Sequence, residues 1–238
     1  MNSTAELKAV YFPSCINRSM GKNNFQKSGE LQLTELTHAL LTRAGYTIIY
    51  PEAVDTHCCG MPFSSKGFAE VNHSQSSALE AALLKASENG KYPIVYDMSP
   101  CFYHSKEEFS PSLKIVDPIE FMLYYVVPKL TIKKKKSAVS VFTVCSVKKI
   151  GKMDQLVALS KLCAEEVTVI DSNCCGFAGD RGFLVPELNE YGLRELAAQI
   201  PATCNEGYST SRTCEIGLEK MSGINFRSVF YLIDEVTR

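Results

Sequence analysis

The sequence predicts an α/β protein of two tandem, duplicated lobes, each a small parallel sheet flanked by helices with cysteines at the carboxyl ends of its strands. Three observations lead there. Short apolar runs alternate with amphipathic stretches along the whole chain, the order that gives parallel strands joined by right-handed crossovers. That order starts again after Pro128 and the run Lys133-Lys134-Lys135-Lys136, the mark of an internal duplication. Eight of the ten cysteines also fall into two copies of one pattern, Cys…Cys-Cys-Gly…Cys. In the first copy 42 residues separate Cys15 from Cys58-Cys59-Gly60, and 41 separate Cys59 from Cys101. In the second, 28 separate Cys145 from Cys174-Cys175-Gly176, and 38 separate Cys175 from Cys214.

Lys8 to Phe12 is an apolar run suited to a first strand, ended by Pro13-Ser14, with Cys15 at once beyond it. Gly29 to Ala44 carries Leu33, Leu36, Leu40 and Leu41 at helical spacing, with Gly45 as the stop. A second strand over Tyr46 to Tyr50 leads to the loop of Cys58-Cys59-Gly60. A helix over Glu70 to Glu88 closes at Asn89-Gly90, and a third strand over Pro93 to Asp97 exits through Ser99-Pro100-Cys101. Lys114 to Val116 is a short fourth strand, and Pro118 opens an apolar helix through Val127.

Four lysines between apolar segments read as a solvated linker, which sets the lobes at 1–132 and 133–238. Beyond it the pattern gives a strand over Ala138 to Thr143 ending at Cys145, and a helix over Met153 to Ala164. A strand over Val167 to Asp171 then leads to the second triplet. A helix over Pro186 to Gln199, a strand over Pro201 to Tyr208, and a strand and helix over Phe226 to Val236 complete the lobe. In this reading Pro93–Asp97 corresponds to Pro201–Asn205, and Val116–Leu123 to Phe226–Ile233. Four cysteines converge on one edge of each sheet, where open parallel sheets place their chemistry.

The chain is 45% hydrophobic with a net charge of −1, the balance of an ordinary folded domain and not of a nucleic-acid binder. No window reaches the roughly 18 uninterrupted apolar residues of a membrane span. The polar start, Met1 to Glu6, lacks an apolar targeting core, so ten cysteines point to thiolate chemistry in a reducing compartment and not to a disulfide scaffold.

Adjacent cysteines close only a strained disulfide ring, so two separated Cys-Cys-Gly triplets suggest metal binding. Four thiolates suit zinc or an iron–sulfur cluster, and redox thiols without metal are a third reading. Structural zinc commonly uses closely spaced cysteine knuckles, which are absent here, while a vicinal pair with long flanking spacings suits a multi-iron centre. His57 is a candidate zinc ligand, a surface residue or a hydrogen-bond donor to sulfur. Cys163, on an apolar helix, reads as core. Gly176-x-x-Gly179-x-x-Gly182 reads as a loop whose N–H groups approach the thiolates, and Asp180 with Arg181 as a surface ion pair.

The doubled pattern resembles the cysteine-rich (CCG) domain of heterodisulfide reductases and of the iron–sulfur subunits of glycolate oxidase, anaerobic glycerol-3-phosphate dehydrogenase and lactate-utilisation complexes. Ala9–Cys15, Cys174–Gly182, Glu206–Ser209 and Ser211–Gly217 are most similar to the C-terminal region of FAD-linked D-lactate dehydrogenases. The resemblance implies two iron–sulfur clusters of the [4Fe–4S] kind. Cys15, Cys58, Cys59 and Cys101 would hold one, and Cys145, Cys174, Cys175 and Cys214 the other. In the heterodisulfide reductase family the last motif is Cys-x-x-Cys, which gives five cysteines and a non-cubane [4Fe–4S] cluster; here Met98 and Ser211 stand at its first position, which leaves four ligands per lobe, enough for an ordinary cubane, and keeps both cluster forms open. Cys204 is a candidate replacement ligand in the second lobe, or a buried strand cysteine.

The implied function is an electron-transfer domain or subunit of a D-lactate dehydrogenase, part of an oxidoreductase and not catalytic alone. The sequence shows neither a flavin domain nor a ferredoxin-type cysteine run, so FAD is expected on another domain or partner. Expected partners are a flavin-containing and ferredoxin-like domain or subunit and a quinone or cytochrome acceptor. The expected location is cytoplasmic, either free or peripheral at the inner face of the membrane. The alternatives are an iron–sulfur subunit of an L-lactate or glycolate system, heterodisulfide-type thiol redox, or a zinc-stabilised interaction module.

Overall fold

The computed structural model describes residues 6–20 and 28–238. They form two compact units: residues 6–19 with Thr34–Leu130, and Met20 and residues 28–33 with Thr131–Arg238.

The first unit runs β1 (Leu7–Phe12), α1 (Cys15–Ser19), α2 (Leu33–Arg43), β2 (Tyr46–Ile49), α3 (Met61–Ser64), α4 (Ala69–Ala86), β3 (Ile94–Tyr96), α5 (Ser99–Glu108), β4 (Ile115–Val116) and α6 (Pro118–Phe121). Its sheet is parallel throughout, in the order β2-β1-β3-β4. Ala9 to Phe12 and Ile94 to Tyr96 are buried, the continuous apolar run of a strand covered on both faces. Leu36, Leu40 and Leu41 of α2, and Leu79 and Leu83 of α4, are fully buried, so each helix lays its leucine stripe on the core. The Asp117 carboxylate caps α6 by accepting from the Ile119 and Glu120 N–H groups, and the helix continues as a π turn over Met122–Val126.

The second unit repeats the plan with β5 (Lys136–Phe142), α7 (Cys145–Lys149), α8 (Met153–Cys163), β6 (Ala164–Ile170), α9 (Arg181–Leu184), α10 (Pro186–Gly192), α11 (Leu196–Gln199), β7 (Glu206–Ser209), α12 (Arg212–Ser222), β8 (Asn225–Ser228) and α13 (Val229–Thr237). Its sheet is also parallel, ordered β6-β5-β7-β8. The fold is the α/β class expected, in two similar four-stranded lobes.

Several elements depart from the expected bounds. The helix expected from Gly29 begins at Leu33, because Glu30 and Leu31 are held elsewhere: Arg227 pairs with Glu30 at 2.5 Å and Tyr231 Oη donates to the Leu31 carbonyl at 3.0 Å. The helix expected over Pro186 to Gln199 is broken after Gly192, where a side chain would meet the Cys174 carbonyl at 2.8 Å. Residues 201–205 are a turn, and β7 starts only at Glu206. The correspondence shifts with it. Strand register pairs Val10 with Ile94 and Ser140 with Gly207, so Asp97 matches Thr210 and not Asn205. At the last strand the expected match slips by one, since Asp117 and Ser228 are the equivalent helix caps. Lys136, expected in a solvated linker, is the first residue of β5 and pairs with Glu206 and Glu235, each at 2.8 Å. Helices α5 and α12, which carry Cys101 and Cys214, were not expected at all.

Candidate metal centres

In an open parallel sheet the strand order reverses at one point, and the crevice there lies beyond the carboxyl ends of the two central strands. The central strands are β1 with β3 and β5 with β7. Cys15 and Cys101 open α1 and α5 just after the first pair, and Cys145 and Cys214 open α7 and α12 after the second. The triplets arrive from the neighbouring strands β2 and β6. All eight patterned cysteines thus lie past the carboxyl edges of their sheets, four in each unit.

In the first unit the Cys15 and Cys58 Sγ atoms are 3.8 Å apart, Cys58 contacts Cys59, and Cys59 contacts Cys101. In the second, Cys145 contacts Cys174 and Cys174 contacts Cys175, whose Sγ is 3.1 Å from that of Cys214. The sulfurs meet in series, flank to pair to flank. All ten cysteines are free thiols. Among the described residues, no group of three or more His, Cys, Asp or Glu side chains is arranged to hold one metal ion.

The triplet glycines turn the backbone onto the sulfurs. Gly60 (φ +92°) and Gly176 (φ +71°) have a conformation that side chains resist. A Cβ on Gly60 would meet Asn72 Oδ1 at 2.4 Å, and one on Gly176 would meet the Leu188 carbonyl at 2.0 Å. Gly176 N–H donates to Cys174 Sγ at 3.3 Å, and Gly60 N–H donates to Cys58. Both loops rest on a helix carrying a buried asparagine. Asn72 of α4 receives a hydrogen bond from His104 Nε2 at 2.8 Å, and Asn189 of α10 donates to the Cys175 carbonyl at 2.7 Å.

Each site also has a cation on the first turn after its first cysteine. Arg18 Nη2 donates to the His57 carbonyl at 2.6 Å, and Lys148 Nζ donates to the Ser172 carbonyl. Contacts from Cys15 and Cys59, then the Gly60 N–H and the Arg18 charge, outweigh burial and hold the Cys58 thiol well below its ordinary range. Contacts from Cys145 and Cys175, the Gly176 N–H and Lys148 do the same for Cys174. Their neighbours are pushed up: Cys15 by its contact with Cys58 and by burial, Cys145 by its contact with Cys174 and by burial. The thiols of each site are therefore coupled, and their proton loss belongs to the set and not to one cysteine.

Asp97 anchors the turn before Cys15. Its buried carboxylate accepts from the Ser14 N–H at 3.0 Å and from Tyr11 Oη at 2.8 Å. Burial raises its pKa. None of Arg18, Lys148, Asp97, Asn72 and Asn189 was singled out from the sequence. For the two cations a signal was present, since both stand three residues after the first cysteine of a pattern.

The remaining candidates fall outside the sites. Cys163 ends α8 and Cys204 precedes β7, both buried at the amino ends of strands. Cys204 lies about 16 Å of extended chain from the β7 exit, so it does not replace a ligand. His57 Nε2 lies 3.2 Å from the Glu52 carbonyl. Met98 and Ser211 take the same extended backbone as caps of α5 and α12, and both are buried.

Residues 9–105 match the family model of the cysteine-rich CCG domain. This part of the chain is a CCG domain. One component of the anaerobic glycerol-3-phosphate dehydrogenase of Escherichia coli (strain K12) is 28% identical over 138 residues, 53% of this chain and 35% of that protein. The same component in Escherichia coli O157:H7 matches equally. The chain thus spans about a third of the length of these curated relatives. Among solved structures, the aspartate racemase of Picrophilus torridus aligns over 97% of this chain and 94% of its own, at 9% identity and a TM-score of 0.44. That likeness is too slight to carry an argument. The CCG match covers the first site, and the second unit repeats its cysteine order, triplet glycine, supporting asparagine and cation. Four soft donors, an N–H cradle and a cation fit a metal group bound by thiolates.

Proposed function

We propose that the chain is an iron–sulfur electron-transfer module of a multi-subunit dehydrogenase, with one cluster on Cys15, Cys58, Cys59 and Cys101 and another on Cys145, Cys174, Cys175 and Cys214. The observation that carries this is the gathering of four cysteines past the carboxyl edge of each sheet, in a pattern whose first copy lies in the CCG match. A [4Fe–4S] cluster is held by four thiolates, the number of patterned cysteines in each lobe. When bound, such clusters supply one-electron transfer.

The chain's residues do the rest. The triplet N–H groups donate to sulfur, Arg18 and Lys148 add positive charge, and the packed triplet glycines fix the loops. The match to a component of anaerobic glycerol-3-phosphate dehydrogenase supports a place beside partner subunits. The wording of Ala9–Cys15 and of Cys174–Gly182 favours D-lactate as the substrate, oxidised at a flavin carried by another domain or subunit, with a quinone or cytochrome as final acceptor.

Anaerobically reconstituted protein is expected to be brown and to contain iron with acid-labile sulfide. Stoichiometric zinc without sulfide would sink this reading and leave the interaction module.

A further inference from the structure

The two sites share a plan but not a charge balance. Arg18 and Lys148 occupy equivalent places, each bound to a carbonyl just ahead of its Cys-Cys pair. Both act electrostatically on their sulfurs, Arg18 on Cys15 and Cys58, Lys148 on Cys145 and Cys174. Arg18 is compensated: its Nη1 lies 3.3 Å from Asp55 Oδ1. Lys148 makes no ion pair among the described residues. The first unit also buries the Asp97 carboxylate at the β3 exit, where the second has the neutral Thr210. On α12 near Cys214, Arg212 stands 3.6 Å from Glu215 and 3.8 Å from Glu219, so those carboxylates are offset in part by their own cation.

Reducing a cluster adds one electron and one negative charge to its site. An uncompensated cation nearby stabilises the added charge, and a carboxylate opposes it. Resting on the iron–sulfur reading above, we propose that the second site has the higher reduction potential, with Lys148 setting its charge and the Arg18–Asp55 pair acting as a partly neutralised counterpart. Electrons shared between the two sites then reside on the second unit.

The test uses full-length chains with one site each: Cys59→Ser to keep the second site, Cys175→Ser to keep the first. After anaerobic reconstitution and iron counting, each is titrated against redox mediators and followed by electron paramagnetic resonance. The second site is expected at the higher midpoint. Lys148→Gln should lower that midpoint by about tenfold in the reduction equilibrium, roughly 59 mV, at unchanged iron content, while Lys148→Arg restores it. Asp55→Asn should raise the first site's midpoint by less, because Asp55 is 88% exposed and screened. Equal or inverted midpoints, or midpoints unmoved by both charge changes, overturn the proposal. Chains that take up no iron overturn the iron–sulfur reading itself, so the two failures are distinguishable.

Discussion

At the scale of single residues, a site thiolate and a core thiol answer differently to the same change. Serine at Cys175 exchanges a soft donor for a hard, poorly ionised hydroxyl, so half the iron should be lost while the chain stays folded. Serine at Cys163 leaves the iron in place and lowers the melting temperature. Cys163 is fully buried, and burial pushes its thiol up to about 12. An imperfectly paired hydroxyl there costs roughly 1–3 kcal/mol. Iron per chain set against the thermal midpoint checks both; iron loss at Cys163 with none at Cys175 would reverse the assignment. Two glycines of one loop make a second contrast. Gly179 has positive φ but open space around it, so Gly179→Ala should cost only about 1–2 kcal/mol of backbone strain. Gly176→Ala forces a methyl into the Leu188 carbonyl and should also release the second site's iron.

At the scale of elements, β8 is held by charge as well as by its ladder. Arg227 is 5% exposed and pairs with Glu30, Glu206 and Glu235, while its guanidinium lies over the Tyr208 and Tyr231 rings. Arg227→Gln takes the guanidinium from Glu30 and leaves Glu206 and Glu235 to Lys136, and should cost about 3 kcal/mol, read from the urea midpoint. A loss below about 1 kcal/mol would mean that solvent screens the cluster. The same kind of residue explains which elements the sequence concealed. The strands and the leucine-striped helices α2 and α4 were legible because apolar residues mark their buried faces. Helix α5 buries Ser99, His104 and Ser105, and α12 buries Arg212, Glu215 and Glu219, so polar and charged residues stand where an apolar stripe would mark the buried face. Without those helices, the repeat was aligned by apolar runs alone. It slipped at β7, where Pro201 to Cys204 imitates a strand start.

At the scale of the whole molecule, the duplication and the gathering of the cysteines were legible because spacing and strand order determine them together. The supports were not, since Asp97, Asn72 and Asn189 act through buried hydrogen bonds between residues far apart in sequence. Nor was the route of residues 28–33, which follow the first helix in sequence yet belong to the second unit. That route carries the last prediction. A fragment Thr131–Arg238, cut two residues ahead of the lobe boundary read from the sequence, keeps β5 to β8 and all four cysteines of the second site. It loses the Glu30 carboxylate that faces Arg227 and the Leu31 carbonyl that accepts from Tyr231. Leu33, 5% exposed, goes with them and uncovers apolar surface. The fragment should therefore unfold at lower urea than the second unit does within the full chain. Glu30→Gln in the intact chain should reproduce only the charge share of that loss, because the leucine and the Leu31 carbonyl stay in place. Equal midpoints for the fragment and the full chain would show that residues 28–33 lie on the second unit without stabilising it.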